Sequence, residues 1–275
     1  MTVLAAPPRP APPAVSWTER RGAGSALGLV TTVALILCWE LGSRTGVIPA
    51  TTLPAASEVA AQLVELVQTP AYWAVVWQTL SSALLGVGLT VLIGVPVALA
   101  IGMSRFVRES TMLLVEFLKP IPPVAMIPLG LLLWGPTLTM KLTLITFGAL
   151  WPFLVQMVDG VRQIDGAVLD TARSYRLTRT QTITRVILPS LLPFAATGLR
   201  VAAAVALIVA VVTELIGGAA GLGREIIIAQ SAGALPQMYA LIVTAGILGL
   251  LTNAVFAAAE KPLLFWHPRF RKDVS

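Results

Sequence analysis

Groups able to make or break covalent bonds are scarce in this chain. It has one histidine, His267, and one cysteine, Cys38. His267 stands beside Pro268 and Arg269, with no second histidine and no cysteine cluster to complete a zinc site or a nucleophile–base pair. A lone cysteine excludes a disulfide within the chain, and in its apolar run Cys38 is expected to be a small buried side chain. No G-x-x-x-x-G-K-[ST] phosphate loop occurs. What the polar residues offer instead is ion pairing and docking. Arg162, Arg173, Arg176, Arg179 and Arg185 fall in a polar stretch over 159–189, while Glu116, Lys119 and Glu214 stand inside apolar runs.

The elements that must position these groups are membrane helices. The chain is 56% hydrophobic and 12% charged, with a mean hydropathy of +0.85; soluble domains carry about 25% charged residues. Its 275 residues hold five or six spans of about 20 residues plus loops. The net charge of +6 would suit nucleic acid, but the charges sit at the ends of apolar runs, so the expected partner is the lipid bilayer and no nucleic acid is expected. Apolar runs over 23–41, 79–103, 111–133, 138–158, 191–216 and 238–259 read as six spans. Residues 1–21, with Pro7, Pro8, Pro10, Pro12 and Pro13, read as a disordered arm. A transmembrane domain over 22–260 follows, and 261–275 form a basic tail. A cleaved signal peptide is the rival for the first run; the long polar lead-in and the missing A-x-A site argue against it.

Three features stand out between the spans. Residues 49–70 read as a short amphipathic helix bounded by prolines. Gly94, Ala98 and Gly102 repeat small residues every fourth position, which lets another helix approach closely. Pro120, Pro122 and Pro123 break the third span and remove backbone donors at membrane depth, leaving either a kinked structural helix or a break that lines a watery path.

Charge placement orients the chain. With both termini inside, the inner segments hold Arg9, Arg20, Arg21, Arg105, Arg108, the five arginines of 159–189, Lys261, Arg269, Arg271 and Lys272, which is fourteen of the 19 basic residues. The outer segments hold Arg44, Lys141 and Arg224, while Lys119 and Arg200 lie within or near spans. The positive-inside rule therefore predicts cytosolic termini and a cytosolic 159–189 segment.

That segment reads as two helices. Asp165 caps the first, whose apolar stripe is Val168, Leu169, Ala172 and Tyr175. Thr178 and Gln181 form a capping box that opens the second, with Ile183, Val186 and Ile187 as its stripe and Pro189 as its stop. Such a pair suits a soluble docking partner, and its arginines equally suit the phosphates of an inner leaflet.

The segment resembles the cytosolic signature loop of ABC-importer permeases, Glu-Ala-Ala-x-x-x-Gly running on to Leu-Pro. Asp170, Thr171 and Ala172 stand at the Glu-Ala-Ala positions, Arg176 at the glycine, and Leu188 and Pro189 at the ending. LPAASEVAAQL (53–63), FLKPIPPVAMIPL (117–129), GVRQID (160–165) and TELIGGAAGLG (213–223) extend the resemblance, in order, to the permeases of the nitrate, taurine and aliphatic-sulfonate importers.

The resemblance implies an all-α integral membrane protein of the type I importer fold, with about six spans in a bacterial plasma membrane. It implies a second permease subunit, identical or paralogous, and an extracytoplasmic binding protein that delivers the solute. A cytosolic ATPase dimer would bind ATP and magnesium, leaving this chain without cofactor or catalytic residue. Asp170, Thr171, Ala172, Tyr175, Arg176, Leu177, Val186 and Pro189 would form the coupling loop. Lys119, Pro120, Pro122, Pro123, Met126 and Glu214 are the pathway candidates, with Lys119 either paired to Glu116 or facing an anion route. Glu214 suits an interface or a gate equally, and Glu40 and Arg200 lie close enough to span ends to snorkel.

Two departures from the pattern stand out. Asp170 is one methylene shorter than glutamate. Arg176 replaces a turn glycine, so either the turn differs or this subunit pairs with an unlike one carrying the regular loop. A secondary transporter or channel would need inverted repeats or an ion-coupling cluster, and an intramembrane enzyme a nucleophile and base; the sequence shows none of these.

Overall fold

The computed structural model describes residues 23–49 and 51–263, and every regular element among them is helical. The arm expected over 1–21, His267 and most of the basic tail lie outside the described residues. The chain divides into two compact units, Met1–Ala60 and Ala61–Ser275.

In the first unit, α1 (Ala23–Arg44) leads to the start of α2 (Ala56–Val67). Glu40 is held by its neighbours. Its carboxylate accepts from Arg44 Nε at 2.5 Å, from Ser57 Oγ at 2.9 Å and from the Ser57 backbone N–H at 3.0 Å, tying the end of α1 to the first turn of α2. Cys38 is exposed, against the expectation of burial. On a helix that meets lipid, an apolar side chain has no need of protein cover.

In the second unit, α3 (Pro70–Met103), α6 (Leu138–Arg162) and α9 (Leu188–Gly217) pack together as the core, with α10 (Leu222–Ser231) and α11 (Leu235–Leu263) against α9. Helix α3 has 34 residues, about 51 Å at 1.5 Å per residue, so it outruns a hydrocarbon layer of about 30 Å. It starts well before the expected position 79 because Pro70, at the first turn, lacks only a donor that would be unpaired anyway.

The small-residue row does what its spacing predicts. Ala98 is fully buried, and a Cβ on Gly94 would stand 2.7 Å from Phe153 Cδ1, one on Gly102 2.6 Å from Val161 Cβ. The Phe153 ring also fills the space above Gly198 of α9, whose added Cβ would meet Phe153 Cδ2 at 3.3 Å. One aromatic ring thus wedges between two glycine-surfaced helices.

The third span departs from expectation at its start. Helix α4 (Arg105–Leu118) follows α3 after Ser104 alone, whose Oγ accepts from Val107 N–H at 3.3 Å, so Arg105 and Arg108 lie in its first turn. Pro120, Pro122 and Pro123 then end it. A 3-10 turn at Pro123–Met126 leads into α5 (Ile127–Trp134), bent 81° from α4. The described residues hold five helices long and apolar enough to cross a membrane, or six if the bent pair counts as one span.

Candidate coupling loop and translocation path

The polar loop folds as two caps around one left-handed residue. Asp165 accepts from Ala167 N–H at 2.9 Å and opens α7 (Gly166–Ser174). The helix closes with Leu177 N–H donating to Ala172 O at 3.0 Å and Arg176 N–H to Arg173 O at 2.9 Å. These 6→1 and 5→2 bonds make a Schellman turn, which needs a left-handed residue at the position of Arg176. Arg176 has φ 53, the one positive φ outside glycine among the described residues. Arginine thus adopts a left-handed turn that glycine would make without a Cβ penalty.

Thr178 and Gln181 complete the predicted capping box: Thr178 N–H donates to Gln181 Oε1 at 2.9 Å and Gln181 N–H to Thr178 Oγ1 at 3.3 Å. Helix α8 (Arg179–Thr182) then continues through a π-helical turn at Ile183–Ile187 directly into α9. Pro189 does not stop the chain. Leu188 N–H reaches back five residues to Ile183 O, and this widened turn accommodates a proline ring that would otherwise clash within the helix. Of the predicted stripes, Ala172 and Ile187 are buried and Leu169, Ile183 and Val186 half-buried, whereas Val168 and Tyr175 are exposed. Asp170 and Arg173 pair at 2.8 Å on the exposed face.

Two cavities follow the proline break. A groove of about 180 Å³ between α4 and α6 is lined by Arg108, Glu116, Lys119, Asp159 and Arg162 along with apolar side chains. A second cavity of about 430 Å³, almost wholly apolar, is lined by Pro123, Trp151 and Val209 among others. Lys119 and Val155 border both. Glu116 and Lys119 form no ion pair with each other, so the pairing alternative does not hold. Among the pathway candidates, Lys119 and Pro123 line the cavities. Pro120 and Pro122 are exposed beside them, and half-buried Met126 packs against the core.

Glu214 lines neither cavity. It is fully buried at the opposite end of the bundle, with Oε1 accepting from Lys141 Nζ at 2.5 Å and Oε2 from Thr79 Oγ1 at 2.8 Å and Gly223 N–H at 3.1 Å. Lys141 Nζ also donates to Ala220 O at 2.9 Å, and Thr79 Oγ1 accepts from Leu222 N–H at 2.9 Å. The cluster joins α3, α6 and α9 to the glycine-rich loop and the start of α10. Gly221, at φ 148, lies so close to Glu214 that an added Cβ would collide with its carboxylate. In the sequence Lys141 reads as an outer charge and Thr79 carries no signal; the one pointer to the cluster is a lysine at the fourth residue of an apolar run, Leu138–Arg162. Arg200 pairs with Glu260 of α11.

Residues 90–262 match the family described as binding-protein-dependent transport system inner membrane component. The chain belongs to that family. The permease is 30% identical over 249 residues to the taurine transport system permease TauC of Escherichia coli, covering 88% of this chain and 90% of that one. It is 28% identical over 251 residues, 90% of each chain, to SsuC of Bacillus subtilis, named for aliphatic sulfonates transport. Its fold matches a chain of the MetNI methionine ABC transporter in an inward-facing crystal form, with TM-score 0.62 and 20% identity, over 71% of the permease and 99% of that chain. The permease therefore has the type I ABC-importer fold and is an inner-membrane transport component.

Proposed function

We propose that this chain is the non-catalytic, path-forming subunit of an ATP-driven importer for a small anionic solute of the sulfonate or taurine kind. It sits in a bacterial plasma membrane as a multi-pass protein with both termini cytosolic, beside a second permease subunit, and an extracytoplasmic binding protein delivers the solute. The observation that carries the reading is continuity. Helix α8, the π-helical turn and α9 form one unbroken helical run from Arg179 to Gly217, while α7 is bound to its start by the Schellman turn and capping box. A force applied to α7 and α8 is thereby delivered along a core helix. The cytosolic ATPase dimer, which binds ATP and magnesium, seats on the exposed Asp170, Thr171, Tyr175 and Arg176 and the half-buried Leu177, with Ala172 buried beneath them. Its closure rocks this lever and opens the path along Lys119 and the proline break to alternate sides. The relatives named for taurine and aliphatic sulfonates support the substrate class.

The test is reconstitution of the permease with its ATPase and binding protein in proteoliposomes. Uptake of a small sulfonate should require ATP on the ATPase side and the binding protein on the other. Uptake without ATP, driven by an ion gradient, would instead make the chain a secondary transporter.

A further inference from the structure

Five charged side chains line the groove between α4 and α6, and among the described residues none takes part in an ion pair or a side-chain hydrogen bond. This is not for want of pairing in that region. On the same helix α4, outside the groove, Arg105 Nε and Glu109 pair at 2.8 Å. The groove residues of α4, namely Arg108, Glu116 and Lys119, recur on one helical face, and Asp159 and Arg162 stand opposite on α6. Three cations against two carboxylates leave one positive charge over. Lys119 stands where the groove meets the apolar cavity, and Arg108 and Arg162 stand at its far end. Along α6, Val155 and Arg162 are seven residues apart, about 10 Å. The positive groups of the groove are thus spread along its length, Lys119 at one end and the two arginines at the other. Partly screened cations attract a small anion, while Glu116 and Asp159 compete for the same cations and keep the hold weak enough for release.

We propose that this groove is an anion site in which the sulfonate or carboxylate of the solute rests on Lys119, Arg108 and Arg162 before it leaves the permease. The proposal deepens the importer reading and rests on it. An anionic lipid headgroup offers similar chemistry, so the experiment separates the two sources.

The test uses the purified permease–ATPase complex in nanodiscs of neutral phosphatidylcholine, with methanesulfonate as probe and saturation-transfer NMR as readout. Methanesulfonate should bind, and Lys119→Gln and Arg162→Gln should each weaken binding about fivefold or more, while Arg162→Lys largely restores it. Arg105→Gln, outside the groove, should change nothing. Glu116→Gln and Asp159→Asn should tighten binding, a change that a purely structural role for these carboxylates does not produce. The proposal is overturned if methanesulfonate fails to bind or if Lys119→Gln and Arg162→Gln bind it like the parent. It is also overturned if nanodiscs doped with phosphatidylglycerol displace the probe completely at one lipid per groove, which makes the site a lipid site. A complex that shows ATP-dependent uptake yet fails these binding tests refutes this inference alone; one without ATP-dependent uptake refutes the importer reading.

Discussion

Lys141→Met removes the cation from a buried cluster and leaves its carboxylate behind. Lys141 and Glu214 are 4% and 0% exposed in their side chains and 2.5 Å apart, so little water can compensate the loss. Glu214 keeps Thr79 Oγ1 and the Gly223 N–H, but Ala220 O loses its donor. Removing one partner of a buried pair costs about 3–5 kcal/mol. At roughly 2–4 °C per kcal/mol for a domain of this size, the thermal midpoint should fall by about 6–20 °C. Pairing Lys141→Met with Glu214→Gln removes both charges and retains an acceptor for the Gly223 N–H. The double variant should therefore lie closer to wild type than Lys141→Met alone, with a coupling of about 2 kcal/mol or more. The assay is thermal unfolding of detergent-purified permease, read by intrinsic tryptophan fluorescence across all four members of the cycle. A single variant within 1–2 °C of wild type, or strictly additive effects, would refute the account of the cluster.

Arg176→Gly should relieve the left-handed strain at φ 53, a gain of about 1 kcal/mol after the flexibility of glycine in the open chain is subtracted. Limited proteolysis at the α7–α8 turn should then slow about fivefold, and equal or faster cleavage would contradict the strain. Thr178→Ala, which breaks the capping box, should act the other way by about 1 kcal/mol, with hydrogen exchange at Gln181 as the readout. Phe153→Ala empties the wedge between Gly94 and Gly198 and should cost about 3–5 kcal/mol, measured as a loss of folded yield and thermal midpoint.

The features visible in the sequence are those with local causes. Asp165, Thr178 and Gln181 declare helix starts through side chains that reach only two or three residues, and each forms its predicted bond. The Gly94–Ala98–Gly102 row announces a packed face, and the prolines after Leu118 announce a break. Arg176 was legible as an anomaly because the turn demands a backbone conformation that its type disfavours. What escaped depends on distant partners. Lys141 and Glu214 are 73 residues apart, so charge counting placed one outside and left the other undecided. Pro189 differs for another reason: a proline ordinarily stops a helix, and here the π-helical turn at Ile183–Ile187 before it carries the helix on. Cys38 misled because membrane burial differs from protein burial.

The central claim is that the loop around Ala172 is the seat of the ATPase. Ala172 is 4% exposed and its carbonyl closes the Schellman turn, so Ala172→Asp forces a charge into the packed base of the loop and displaces the exposed face that the ATPase contacts. The direct measurement is co-purification of the ATPase on tagged permease, alongside ATP-dependent uptake, with membrane insertion checked on the same preparation. The account predicts a fully inserted permease that retains little ATPase and transports nothing. An inserted Ala172→Asp permease that holds its ATPase and transports normally would contradict it.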